Sequence, residues 1–355
     1  MKRYAREALA DLQAYTPGEQ PKDGAYIKLN TNENPYPPSP AVLEALRTID
    51  AEALRRYPDP LATELRAACA QRYGLPDADW VIAGNGMDEL LAMALRAFVD
   101  PGDDVVADYP TYSLYEVLCR IHGCKLAYQP LNEDFLPGDD FYRQQGRLYF
   151  LARPNAPSGV SMPRADVERF CSTFNGLVLI DEAYVDFADD HCMDFPARFE
   201  NVLVMRTFSK SFGLAGMRIG VAAGHPELIQ EMLKIKDSYN INACSQRAGR
   251  AAMEDYDYML ACAAQVRATR ERMRDALLRL GFAVPKSQSN FLLAQWDGTP
   301  DARTLFEALR ARRILVRYFA QPRIENALRI SVGTDQEADA LIAALSELLG
   351  RSAPS

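Results

Sequence analysis

The sequence predicts an α/β protein: a large domain with a mostly parallel central sheet covered by helices on both faces, then a smaller α/β domain at the C-terminal end. Three observations predict it. From about residue 79, apolar runs of strand length alternate with helical segments. Those runs are apolar at consecutive positions, so both of their faces must be buried, as in a parallel sheet flanked by helices. A proline-free, Arg/Glu/Ala-rich stretch from 246 to 280 then separates this alternation from a second one.

Taken in order, residues 1–40 read as an irregular arm expected to pack with the small domain. Its run Leu-Asn-Thr-Asn-Glu-Asn-Pro-Tyr-Pro-Pro at 29–38 is dense in turn formers, so it is a shaped loop. The large domain is expected over 41–245. It opens with helical spacing at 42–51 and 61–73, around Arg-Tyr-Pro-Asp-Pro at 56–60. Strands are expected at 80–83, 104–107, 148–151, 177–180, 202–205 and 219–222, with a helix over 87–98. The segment 246–280 reads as one connecting helix of about 50 Å at 1.5 Å per residue, ended by Gly281. The small domain, 281–355, carries strands near 289–293, 314–317 and 328–332.

Composition narrows the function. The 355 residues are 48% apolar and 25% charged, which is ordinary for a folded soluble protein. A net charge of −8 with no basic block argues against a nucleic-acid surface. No stretch approaches the roughly 20 apolar residues of a membrane span, and no apolar leader follows the first residues, so a cytoplasmic protein is expected. Seven scattered cysteines do not form a disulfide framework. Cys119 and Cys124 flank His122, but no second pair completes a four-ligand site, so no metal is expected. Eight lysines stand against 32 arginines, and a lysine set among Ser, Gly and apolar residues is conspicuous.

That lysine is Lys210, in Thr-Phe-Ser-Lys-Ser-Phe-Gly-Leu-Ala-Gly-Met-Arg at 207–218. In an apolar pocket, or beside another cation, its amine loses proton affinity and becomes nucleophilic toward an aldehyde. Asp181 ends the run Leu-Val-Leu-Ile, and a buried carboxylate there needs a cationic or hydrogen-bonding partner. A protonated pyridine nitrogen is one suitable partner; capping the following turn is the alternative use. The turn at Gly84–Glu89 links a strand to a helix and offers backbone N–H groups to an anion. It lacks the Gly-x-Gly-x-x-Gly spacing of dinucleotide sites. Ser209 and Arg218 supply the hydroxyl and forked guanidinium that grip phosphate oxygens.

The ordered set Asn155, Asp181-x-x-Tyr184, Ser209-Lys210 and Arg218 resembles the fold-type-I pyridoxal-phosphate (PLP) aminotransferases of the aspartate-aminotransferase superfamily. Tyr-Pro-x-Tyr at 109–112 and Leu-Arg-Ile-Ser at 328–331 fit the same pattern. Within that superfamily, several runs are similar to the histidinol-phosphate aminotransferases. They include Arg-Tyr-Pro-Asp, Gly-Asn-Gly-x-Asp-Glu, Asp-Tyr-Pro-Thr-Tyr-Ser-Leu-Tyr, Ile-Asp-Glu-Ala-Tyr and Ile-Leu-Val-Arg-Tyr-Phe. The resemblance covers about residues 26 to 335.

It implies the cofactor pyridoxal 5'-phosphate, held by Lys210 as a Schiff base, with Lys210 also relaying protons. Asp181 then pairs with the pyridine nitrogen, Asn155 and Tyr184 hydrogen-bond the ring O3′, and Tyr112 stacks on the ring. Gly86, Met87, Asp88, Ser209 and Arg218 bind the cofactor phosphate, with Thr207 as a helper. Tyr57 reaches the phosphate of a neighbouring subunit, which makes the active unit a homodimer with shared sites. Arg329 and Arg317 receive the substrate anions, with Asn34 beside the substrate. Tyr112 as a core aromatic and Arg317 as a surface salt-bridge former remain open alternatives.

One departure from the family pattern is the run Ala-Arg-Pro-Asn-Ala-Pro-Ser-Gly at 152–159, where Arg153 and Ala156 replace residues flanking the cofactor Asn. The expected reaction is amino transfer from L-histidinol phosphate to 2-oxoglutarate. An aromatic amino-acid aminotransferase or a threonine-phosphate decarboxylase are alternatives that keep the cofactor. A PLP-binding regulator would need an N-terminal DNA-binding domain, for which the motif-bearing region, starting by residue 30, leaves no room.

Overall fold

A computed structural model describes residues 26–351 continuously, with 4, 6, 9, 11, 12 and 18–21 of the preceding segment. Much of the expected N-terminal arm therefore lies outside the described residues. Its described end contributes strand β1, Ile27–Lys28. Seven strands form the large sheet: β2 (Val81–Asn85), β3 (Asp104–Tyr109), β4 (Lys125–Pro130), β5 (Leu148–Ala152), β6 (Leu177–Asp181), β7 (Val202–Thr207) and β8 (Ile219–Gly224). Their order is β2-β8-β7-β6-β5-β3-β4. Pairing is parallel from β7 through β4, while β8 runs antiparallel to both β2 and β7.

Alternate residues of the central strands enter two separate cores. Tyr149, Leu151, Val178, Ile180, Val202 and Val204 pack on one face. Leu148, Phe150, Leu177, Leu179, Leu203 and Met205 pack on the other, against the helix Met87–Phe98. Burying both faces is what the continuous apolar runs require. Each fully buried Leu or Phe contributes roughly 1.5–3 kcal/mol of transfer free energy.

Strand β4, alone in the large sheet, carries no apolar run that marks it in the sequence. Its sequence Lys-Leu-Ala-Tyr-Gln-Pro lies at the sheet edge and is mostly exposed, so it has no need of an apolar run. Two further differences concern helices. The expected helix at 42–51 is Pro40–Arg47 followed by a separate Ala51–Arg55, capped by Asp50. The expected single connector is two helices, Ala243–Glu254 and Tyr256–Arg279. Asp255 interrupts them at φ −104°, ψ 44°, consistent with the preference of Asp for helix ends.

The first of these two helices packs on Pro40–Arg47 and Thr63–Tyr73, and the second packs on strand β9 (Phe291–Gln295) and the C-terminal helix Asp335–Leu348. Strand β10 (Ile314–Leu315) pairs in parallel with β1. Strands β11 (Arg317–Tyr318), β12 (Ala327–Ser331) and β9 form an antiparallel sheet in that order. Among the described residues no helix is long and apolar enough to cross a membrane.

Candidate active site

The carboxyl ends of the parallel strands deliver side chains to one cleft, as open α/β sheets do. Asp181 is the last residue of β6, and Ser209 and Lys210 follow β7 by two and three residues. Because β8 runs the opposite way, its start also lies at this end, and Arg218 sits immediately before it. The small sheet and the 30–32 loop close the cleft from the other side. Its lining includes Asn32, Asp88, Tyr112, Asp181, Tyr184, Lys210, Arg218, Arg317 and Arg329, around about 1100 Å³ of space up to the open mouth.

Lys210 Nζ donates to Thr31 O at 3.0 Å. Burial and the neighbouring Arg329 guanidinium bring its amine down to about 8, although Glu33 and Asp88 act in the opposite direction. Near neutral pH a useful fraction of the amine is therefore deprotonated.

Asp181 is buried, and burial pushes its carboxyl up to about 6. Its Oδ2 accepts from Tyr115 Oη at 2.5 Å, and its Oδ1 accepts from Ala183 N at 3.0 Å. Asp181 thus does cap the turn that follows β6, while among the described residues no salt bridge reaches it. Nothing in the sequence alone marks Tyr115. It lies three residues after Tyr112 at the start of the helix Leu114–His122 and stacks on Phe150, a spacing that places both tyrosines on one side. The tyrosine rings meet edge to face at 5.6 Å, and Tyr112 is partly buried against the core, so the core-aromatic alternative describes part of its surroundings. Its ring also lines the cleft, and its hydroxyl donates to Asp88 Oδ1 at 3.4 Å.

An anion cradle lies between β2 and β8. Gly86 (φ 83°) caps the helix Met87–Phe98 with no side chain, and a Cβ there would lie 2.5 Å from Arg218 Nη2. Arg218 donates to Ser209 Oγ at 3.3 Å and meets Asp88 Oδ2 at 3.4 Å. Thr207 Oγ1 accepts from the Ser209 N–H at 3.1 Å and so shapes the turn that presents the serine. A helix N-terminus, a guanidinium and a hydroxyl facing one space suit a phosphate dianion.

At the opposite wall, Arg317 and Arg329 are directly paired across β11 and β12. Arg329 lies over the rings of Phe291 and Phe319, at 5.3 and 5.4 Å, and donates to Asn30 O at 3.0 Å. Arg317 lies over Phe319 at 5.3 Å and faces the cleft, so it is not a solvent-exposed salt-bridge former alone.

Asn155, Asn34 and Tyr57 are not among the residues lining the cleft. Asn155 is buried beside the cleft; its Nδ2 donates to Pro110 O at 3.0 Å and its Oδ1 accepts from Ser158 Oγ at 2.7 Å. Asn34 does not line the cleft. Its Nδ2 donates to Ser211 O and its Oδ1 accepts from Tyr36 N, so it shapes the loop, and it is Asn32 that faces the cleft. Tyr57 lies away from its own cleft, 80% exposed and stacked on Tyr239 at 4.3 Å. The departing Arg153 is buried, donates to Met162 O and pairs with Asp190, and does not line the cleft. His122 Nε2 meets Val99 O, and Cys124 Sγ meets Cys119 O. Among the described residues no cluster of three or more metal-ligating side chains occurs.

These residues fit pyridoxal phosphate on structural grounds. A half-buried lysine amine of lowered proton affinity faces the cleft, a buried carboxylate without a cationic partner lies at its base, and Arg218 and Ser209 converge on a side-chain-free glycine turn at a helix start, the donor set a phosphate needs.

A doubly covered, mostly parallel sheet with this cleft at its carboxyl end is the architecture of the fold-type-I group-transfer enzymes. The description aminotransferase class I and II matches residues 25–345, and the chain belongs to that family. It is similar to histidinol-phosphate aminotransferase 1 of Nostoc sp., with 44% identity over 98% of this chain and 99% of that protein. It is likewise 45% identical to the histidinol-phosphate aminotransferase of Microcystis aeruginosa, over 97% of this chain and 98% of that one. Among solved structures, the Sinorhizobium meliloti histidinol-phosphate aminotransferase in complex with pyridoxal-5'-phosphate superposes with a TM-score of 0.83 at 28% identity, covering 91% of this chain and 90% of that one.

Proposed function

We propose that this aminotransferase uses pyridoxal 5'-phosphate to move the amino group of L-histidinol phosphate to 2-oxoglutarate, giving imidazole-acetol phosphate and L-glutamate. The observation that carries the reading is one cleft with two cationic ends. Arg218 with the Gly86 turn serves the cofactor phosphate, and the cross-strand pair Arg317 and Arg329 serves the substrates. A phosphate on one substrate and a carboxylate on the other can use the same two forks in turn. The relatives' names support the choice of amino donor.

Bound pyridoxal phosphate supplies an aldehyde that condenses with amines and a protonated ring that accepts the electron pair left when the Cα–H bond breaks. Asp181 would hold the proton on the ring nitrogen, and Tyr115 keeps that carboxylate oriented. Tyr184, with Asn155 beside the cleft, would hold the ring oxygen, and Tyr112 would cover the ring. With the cofactor and substrate in place, the Lys210 amine would be the group that takes a proton from the substrate Cα at Nζ and returns it. Met87 and Asp88, at the start of the helix, complete the phosphate cradle.

We also assign the active unit to a homodimer in which Tyr57 serves the neighbour's cofactor. Its exposure outside its own cleft, beside exposed Leu54 and Leu61, supports this. A cytoplasmic setting fits the seven free cysteines.

The test is a panel of amino donors, with steady-state rates measured for histidinol phosphate, phenylalanine and threonine phosphate against 2-oxoglutarate. Histidinol phosphate is expected to give the highest kcat/KM. A higher value with phenylalanine would reassign the substrate while leaving the cofactor in place.

A further inference from the structure

Asn32 is a buried residue whose hydrogen bonds join the two halves of the cleft. It is 1% exposed and has φ 57°, the left-handed region that Asn tolerates better than most side chains. Its backbone N–H donates to Ser331 Oγ at 2.8 Å, and its carbonyl accepts from Asn290 Nδ2 at 2.9 Å. Ser331 Oγ donates in return to Asn32 Oδ1 at 2.9 Å. These bonds decide which way the amide faces. With the amide turned over, two N–H donors would converge on Ser331 Oγ, whose own hydrogen would lose its acceptor. The Nδ2 end therefore points the other way, and it donates to Tyr184 Oη at 3.0 Å.

We propose that Asn32 is a positioning residue for Tyr184: by donating to the phenol oxygen from the wall of the cleft, its amide occupies that side of the oxygen and leaves the phenol hydrogen for the ring oxygen of the cofactor. A phenol has one hydrogen, and a donor seated on one side of the oxygen leaves that hydrogen the other side. The inference rests on the pyridoxal-phosphate reading of the site. It adds a link absent from that reading, because Asn32 is held by Ser331 and Asn290, which flank and extend the sheet that carries Arg329. The charged groups that face Tyr184 are Arg329 on β12, Asp181 at the end of β6, Asp88 at the helix start, and Lys210, whose Nζ lies 5.7 Å from the ring centre.

A hydrogen bond to the cofactor's ring oxygen stabilises its deprotonated chromophore, in which that oxygen carries the fuller negative charge. Loss of the donor raises the pH at which the bound cofactor changes absorption, by about one unit for a charge-assisted bond. The experiment is an absorbance pH titration of the holoenzyme for wild type, Asn32→Asp, Tyr184→Phe and the double variant. The aspartate is the same size and accepts where the amide donated, so it draws the phenol hydrogen to itself and away from the cofactor. Expected is a raised midpoint in both single variants and a double variant that moves no further than Tyr184→Phe alone.

An unmoved midpoint in Asn32→Asp overturns the proposal. So does a shift that adds in full to that of Tyr184→Phe, because the new charge would then act without the tyrosine. Asn32→Gly accepts the same backbone angle and adds no charge. If the aspartate variant does not fold, a raised midpoint in the glycine variant supports the proposal and an unchanged one overturns it. A wild-type protein that gains no absorption band with pyridoxal phosphate overturns the reading of the site and this proposal with it.

Discussion

Burial and the Arg329 guanidinium lower the Lys210 amine from 10.5 to about 8. Between those two values the unfolded chain binds a proton that the folded chain does not, so stability rises with pH across that window. The destabilisation is fully present below about pH 8 and is relieved as pH approaches 10.5. Asp181 acts in a separate window: its folded carboxyl at about 6 against 3.8 lowers stability as pH rises between those values. The lysine contribution can therefore be isolated. In cofactor-free protein, Lys210→Met is expected to be more stable than wild type at pH 7, with the difference shrinking between pH 8 and 10. Urea midpoints across that range check it, and parallel pH profiles for the two proteins would sink it. At this scale the sequence exposed residues whose chemistry is unusual for their surroundings, such as Lys210 and Asp181. Residues defined by partners distant in the chain stayed hidden. Nothing in Asn-Thr-Asn-Glu-Asn marks Asn32 over Asn34, because the choice is made by Ser331 and Asn290, about 300 and 260 positions away by the backbone path.

Among the elements, β8 does the most to assemble the cleft. As the one antiparallel strand between β2 and β7, it brings Arg218 to the end of the sheet where Lys210 emerges. Gly220 lets it do so: a Cβ there would lie 2.5 Å from Met87 N and 2.7 Å from Gly86 C, both backbone atoms of the phosphate turn. Gly220→Ala must push the helix start away from β8. The expected outcome is a loss of about 1–3 kcal/mol in stability, as for other overpacked sites, with cofactor affinity falling alongside. Gly216→Ala, which meets nothing within 4 Å, serves as the comparison. Denaturation curves and cofactor titrations of the two variants check this, and equal stability for both would contradict it. Apolar runs revealed the central strands because both of their faces are buried. They could not reveal β4, an edge strand with an exposed face, nor the break at Asp255, which a helix-rich composition conceals.

At the scale of the whole molecule, the role proposed for Tyr57 bears on how many chains make one site. If Tyr57 serves a cofactor, its exposure outside its own cleft requires that it act across an interface between copies. In a twofold pair each chain gives Lys210 to one site and Tyr57 to the other. Mixing two impaired variants then has a distinctive result. A heterodimer of Lys210→Ala with Tyr57→Ala has one doubly damaged site, and its other site combines an intact lysine with an intact tyrosine. Random reassociation makes half of all dimers mixed, and half of their sites intact, so about a quarter of wild-type activity is expected to return. Each variant alone is expected to fall well below that level. The check is unfolding and refolding of an equimolar mixture, followed by steady-state assay, with each variant refolded separately for comparison. Activity that merely equals the average of the two parents would place Tyr57 outside the neighbour's site and confine each cleft to the residues of a single chain.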